Sequence, residues 1–142
     1  MAVWLLWGLL AVVAAFAGYV RLAPSDSGHW HVAPVAEGPA GEVVAGEGWA
    51  SLRLETGAAR DLLARLDAIA LATPRTTRIA GSPEEGRITW ITRSALWGFP
   101  DFTTAEARAD GLHIQARLRF GRGDMGVNAA RLRAWQAALA QG

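Results

Sequence analysis

The first twenty residues, Met1 to Val20, contain no charged side chain and almost no polar one. Trp4-Leu5-Leu6-Trp7-Gly8-Leu9-Leu10 continues through Val12, Val13, Phe16 and Tyr19 to the first charge, Arg21. At about 1.5 Å of rise per helical residue, such a run crosses roughly 30 Å, the thickness of the hydrocarbon core of a bilayer. The rest of the 142-residue chain reads as one small domain held at a membrane. Residues 1–21 are therefore expected to be a transmembrane anchor. The rival expectation is a cleaved signal peptide, because Ala15-Phe16-Ala17 has the small-x-small form of a cleavage site. No basic stretch precedes the run, which favours the anchor. Within it, Gly8, Ala11, Ala15 and Gly18 recur at spacings of three and four. That places small residues along one stripe, where a second membrane helix could approach closely.

The composition excludes several classes of chemistry. There is no Cys, so neither a disulfide framework nor a thiolate site is possible. A formal charge of +1 gives no bias towards nucleic acid. All fourteen basic residues are Arg. From Ala23 to Gly48 no period of 2 or 3.6 persists, and Pro24, Pro34 and Pro39 alternate with glycines. Residues 22–48 are expected to be a Pro/Gly-rich linker that holds the domain away from the bilayer. His29-Trp30-His31 lies in it and lacks a third ligand for a metal.

Residues 49–142 carry the patterned part. Trp49 to Leu54 alternates as a strand. From Ala58 to Leu71, Leu62, Leu63, Leu66, Ile69 and Ala70 share one helical face, with Arg60, Asp61, Arg65 and Asp67 opposite. Thr77 to Gly81, Arg87 to Arg93, Asp101 to Ala109 and Leu112 to Phe120 follow as strands. In the last, Leu112, Ile114, Ala116, Leu118 and Phe120 are expected to point inward. Asp110-Gly111 is a two-residue hairpin signal, and Asp124 and Asn128 are expected to cap a terminal helix carrying Leu132, Trp135 and Leu139. The order β-α-β-β-β-β-α, with short turns between strands, predicts an α+β domain: a small antiparallel sheet with two helices packed on one face.

No catalytic set, metal site or cofactor is expected. Gly121-Arg122-Gly123-Asp124-Met125-Gly126 matches a dinucleotide fingerprint, but no second parallel strand or ribose-binding acid follows it. His113, on the outward side of its strand, has no nucleophile visibly paired to it. The outward positions are more informative. Arg87, Arg93, Arg108, Arg117 and Arg119 fall on one face of neighbouring strands, with Glu106 the one acid among them. Such a face could bind a lipid headgroup phosphate or an acidic protein surface.

Thr73-Pro74-Arg75-Thr76, Ala80-Gly81-Ser82, Thr92-Arg93-Ser94 with Gly98-Phe99-Pro100-Asp101, and Arg117-Leu118-Arg119-Phe120-Gly121 with Asp124-Met125-Gly126-Val127-Asn128 and Arg131 stand in this order. They resemble the bacterial family called domain of unknown function 1499, over roughly Trp49 to Leu139. Leu118 departs from the polar residue usual at that position of the family. The resemblance implies a small α+β domain, often behind an N-terminal membrane segment or signal, and assigns no activity. The expectation is a single-pass protein of the bacterial inner membrane, with the domain on the periplasmic side. Its role would be that of an accessory or binding module, with the bilayer and a membrane protein as partners. The alternative is an envelope hydrolase with a site between the 97–102 and 121–128 loops.

Overall fold

Strand alternation in the chain produces two unlike sheet faces, and both are covered. The computed structural model describes all 142 residues. Helix α1 (Ala2–Leu22) is followed by a single turn, α2 (Ser27–Trp30), and then by strands β1 (Val44–Gly46) and β2 (Trp49–Leu54). Helix α3 (Ala59–Ala72), strands β3 (Thr76–Ser82), β4 (Arg87–Arg93), β5 (Pro100–Arg108) and β6 (Gly111–Leu118), and helix α4 (Val127–Gln141) complete the chain. All neighbours in the six-stranded sheet are antiparallel, in the order β1-β2-β6-β5-β4-β3. The α+β class and the single apolar N-terminal helix are as expected. One short strand, β1, escaped the sequence pattern: it adds to the edge beside β2 and moves the start of the sheet back to Val44.

Helices α3 and α4 pack on one face. The core between them and the sheet contains Leu52, Leu63, Leu66, Ile88, Trp90, Ile114, Leu132 and Trp135, with the rings of Trp90 and Trp135 edge to face at 5.7 Å. Asp67, expected on the solvent side of α3, is buried there instead. It accepts a 2.9 Å hydrogen bond from the Trp90 indole and pairs with Arg78 of β3. A buried indole N–H needs an acceptor, and the carboxylate one turn from Leu63 supplies it. Leu112, Ile114 and Ala116 point into this core as expected, but Leu118 is half-buried at the end of its strand. Phe120 lies beyond β6 and packs instead on Tyr19, with ring centroids 6.0 Å apart.

The opposite face corrects the linker expectation. Residues 24–37 do not stand off the domain; they cross the outer face of the sheet as a strap. Trp30 stacks flat on Phe102, with centroids 3.9 Å apart and planes 5° from parallel, and the Arg117 guanidinium lies 5.1 Å above the same ring. Backbone carbonyls of the strap accept from Arg119 (Pro24, 2.8 Å), Thr104 and Arg117 (Trp30, both 3.2 Å) and Arg108 (Pro34, 2.8 Å). Its N–H groups at Val35 and Glu37 donate to Gln115 and Ser51. A segment without regular structure must place its backbone polar groups somewhere, and here the sheet's side chains receive them.

His31 ends a relay of hydrogen bonds. Thr104 Oγ1 donates to the Trp30 carbonyl, so Thr89 Oγ1 donates to Thr104 (2.9 Å) and accepts from His31 Nδ1–H (2.9 Å). Gly81, at φ +80°, leaves room for this imidazole, since a Cβ there would strike both the ring and the Arg87 carbonyl. Burial, and then the Arg87 charge, hold the His31 pKa below its ordinary 6.5, against the opposing pull of Glu85 and Glu106. A lowered folded-state pKa means that stability is complete above 6.5 and declines as the pH falls below it. We expect the melting temperature to drop between pH 7 and about pH 5.5, and His31→Gln to remove most of that drop. An equal drop in both proteins would assign the acid sensitivity to other groups.

Candidate functional site

The outer face carries the arginines expected there, and their surroundings divide them. Arg87, Arg93, Arg108 and Arg117 sit on strand positions facing away from α3 and α4, with Arg119 just beyond β6. Arg87 and Arg108 both pair with Glu106, the Arg108 contact being 2.7 Å. Burial raises the Glu106 pKa, but the two arginines outweigh it and the net shift is downward. Arg117 belongs to the strap, as above. Three of the five, Arg87, Arg108 and Arg117, are thus occupied within the chain.

Arg93 and Arg119 have no carboxylate partner. Arg93 donates to the Gly98 carbonyl (3.0 Å) and to the Val20 carbonyl (3.4 Å) at the C-terminal end of α1. A cation suits that end, where the last carbonyls are free and carry the negative pole of the helix. Arg21 joins from the last turn of α1 and donates to the Leu96 carbonyl at 2.8 Å. Arg75 comes from the turn before β3 and donates to the Arg93 carbonyl at 3.0 Å. Its backbone is left-handed, at φ 58°, an uncommon conformation for a residue with a Cβ. Arg21, Arg75 and Arg93 together line an open pocket of about 430 Å³, with Thr77, Ile91 and Ser94. No acidic residue lines it. Burial, then the charges of Arg119 and Arg21, push the Arg93 pKa down. This is a cationic pocket at the end of the apolar helix. Arg21 and Arg75 were not among the candidate residues, because only the fold brings 21, 75 and 93 together.

The second cleft lies where the alternative hydrolase site was expected, between the 97–102 and 121–128 loops. It measures about 570 Å³ and is lined mainly by Phe16, Phe99, Leu118, Phe120, Met125 and Val127, with Asp101 and Asp124 also reaching it. Both carboxylates have partners. Asp101 faces Arg131 of α4 at 3.4 Å, and burial raises its pKa against the pull of that guanidinium. Asp124 accepts from the Gly126 and Asn128 N–H groups, both at 3.0 Å. Asp124 therefore caps α4 as expected, whereas Asn128, also expected to cap it, does not. Asn128 itself is fully buried in the first turn and accepts from Arg131 at 2.6 Å. The lining's hydroxyl, Ser94, accepts from the Phe99 N–H at 3.0 Å. Asp101, Asp124, Asn128, Arg93 and Arg119, which that alternative needs in one pocket, do not converge: the two acids reach this cleft, Asn128 is buried against Arg131, Arg93 lines the other cleft, and Arg119 turns to Pro24. His113, expected on the surface, is buried between Arg108 (3.3 Å) and Asp110 (2.9 Å).

Of the small residues in α1, Gly8, Ala11 and Ala15 are exposed, and Gly18 is half-buried. Helix α1 is long and apolar enough to cross a membrane or to act as a signal sequence.

The fold and these two clefts define an α+β domain strapped to the end of one apolar N-terminal helix. The chain belongs to the family described as protein of unknown function (DUF1499), which matches residues 42–139. It matches no curated protein.

Proposed function

We propose that the chain is a single-pass, membrane-anchored binding module that holds the phosphate of an anionic lipid in the Arg21–Arg75–Arg93 pocket. The observation that carries this reading is three guanidinium groups, with no acid among them, at the end of the helix that would lie in the bilayer. Arg presents a planar fork that matches phosphate oxygens in pairs. Headgroup phosphates lie at the depth where an apolar helix meets its first charge, here Arg21. The membrane would be the bacterial inner membrane, with the domain on the periplasmic side. A membrane-protein partner could lie along Gly8, Ala11 and Ala15, and the module would then be its accessory subunit.

The test uses the full chain, extracted in mild detergent from membranes containing phosphatidylglycerol and phosphatidylethanolamine. Native mass spectrometry should show phosphatidylglycerol retained in preference, and retention should weaken with salt, since the Debye length falls to about 10 Å at 0.1 M. Arg21→Gln with Arg75→Asn should reduce that retention several-fold. Arg21 and Arg75 are both exposed, and Asn tolerates the left-handed backbone at 75, so the melting temperature should hold. Equal retention of the two lipids by wild type would overturn the reading.

A further inference from the structure

The loops 94–99 and 121–127 have no role in the phosphate pocket beyond Ser94, Ala95 and Gly98, yet they carry some of the most exposed apolar side chains of the domain. Met125 is 99% exposed and Leu96 74%, with Trp97 and Val127 also open. Met125 further adopts a left-handed backbone, φ 52°, that turns its side chain out of the domain. A soluble surface does not gather such residues at two neighbouring loop tips without a reason.

Their position beside α1 supplies one. Phe99 packs edge to face on Phe16, with centroids 6.2 Å apart. Trp97 and Phe99 share an apolar hollow with Val12, Val13 and Phe16. The first charge of the helix, Arg21, marks the level at which hydrocarbon gives way to headgroups. Phe16 lies five residues before it, and Val12 nine. At about 1.5 Å per residue these side chains sit roughly 7 and 13 Å inside that level. Whatever packs on them is at the same depth. The cleft between the two loops opens beside Phe16 as well, with an apolar lining and with both of its carboxylates engaged.

We infer that loops 94–99 and 121–127 form a second membrane contact, inserted beside α1 into the acyl region of the leaflet that the domain faces. Leu96, Trp97 and Met125 meet lipid chains directly. The arginines of the neighbouring pocket then stand at headgroup depth, above the inserted tips. The occupant is the bilayer itself, since the helix that brings these loops to this level is the one that crosses it. The inference rests on the reading that α1 stays in the membrane, and not on which headgroup the pocket prefers.

The absence of cysteine makes the test direct. Leu96→Cys and Met125→Cys are placed singly in the full chain, with Glu84→Cys as the exposed reference at the far end of β4. Each carries a nitroxide and is reconstituted into vesicles of phosphatidylcholine with a minority of phosphatidylglycerol. Intact mass confirms α1 on each protein. Labels at 96 and 125 should collide freely with dissolved oxygen, and several-fold less often than the label at 84 with a water-soluble nickel chelate. Nickel accessibility at 96 and 125 equal to that at 84 would overturn the insertion. So would loss of α1 from the mature chain, because the depth argument needs it. Buried labels on a chain that shows no preference for phosphatidylglycerol would leave the insertion standing and remove the phosphate pocket alone.

Discussion

Ile114→Asp is expected to leave the domain unfolded at room temperature. Ile114 is 1% exposed in β6, the strand that lies between β2 and β5, and it points into the core beneath α3 and α4. Truncating a buried isoleucine alone costs about 2–5 kcal/mol. A carboxylate there has no hydrogen-bond donor within the apolar cluster and adds its own desolvation cost. The total approaches or exceeds the whole stability of a small domain, typically about 5–15 kcal/mol. Leu118→Asp, four residues further along the same face, should be milder, because Leu118 is half-buried and its carboxylate could reach water. Circular dichroism melts of the two variants beside wild type provide the check. Equal melting of Ile114→Asp and wild type would mean that the strand's faces are exchanged, as a one-residue slip in register would exchange them.

Trp30→Ala is expected to release the strap while the sheet and its two helices survive. The indole stacks on Phe102 and lies under Arg117, and its loss removes both contacts. For a half-buried tryptophan we expect a cost of about 2 kcal/mol, below the 3–5 typical of fully buried aromatic residues. Hydrogen exchange should become faster over residues 24–37 and stay slow over β4, β5 and β6. Uniform acceleration across the sheet would show that the strap is part of the cooperative core, and no change would show that the backbone contacts hold it alone. Arg117→Ala should act in the same direction, because Arg117 also donates to the Trp30 carbonyl at 3.2 Å.

These two residues mark where the sequence was legible and where it was not. Ile114 was placed correctly by period alone: its strand alternates over eight residues between hairpin and turn signals, and a half-buried strand does little else. The segment from 24 to 37 has no period, and its proline content matches that of an open linker. What holds it is a set of backbone carbonyls accepting from Arg108, Arg117 and Arg119, and backbone contacts leave no pattern in side-chain type. The available signal was Trp30 itself, a large aromatic set between two histidines. Asp67 failed for a related reason. Its helical position looked polar, and only the arrival of Trp90 and Arg78 from β4 and β3 makes it an interior residue. The candidate site was half visible. Alternation put five arginines on one face, but their division depends on cross-strand register, which pairs Arg87 with Glu106 and leaves Arg93 opposite Pro100. Arg75 joins Arg93 through the pairing of β3 with β4, and Arg21 joins them only through the contact of α1 with the domain.

The strap also limits where the domain can travel. Only Leu22 and Ala23 separate Arg21, which is tied to Leu96, from Pro24, which is held by Arg119; Ala23 is buried. The domain therefore has no leash. With α1 in a bilayer, it would keep a fixed tilt and height and could turn only with its own helix. Its search would be confined to two dimensions, over the ring of molecules that diffuse past that helix. Anything it recognises would have to present its contact surface within a few ångströms of the headgroups.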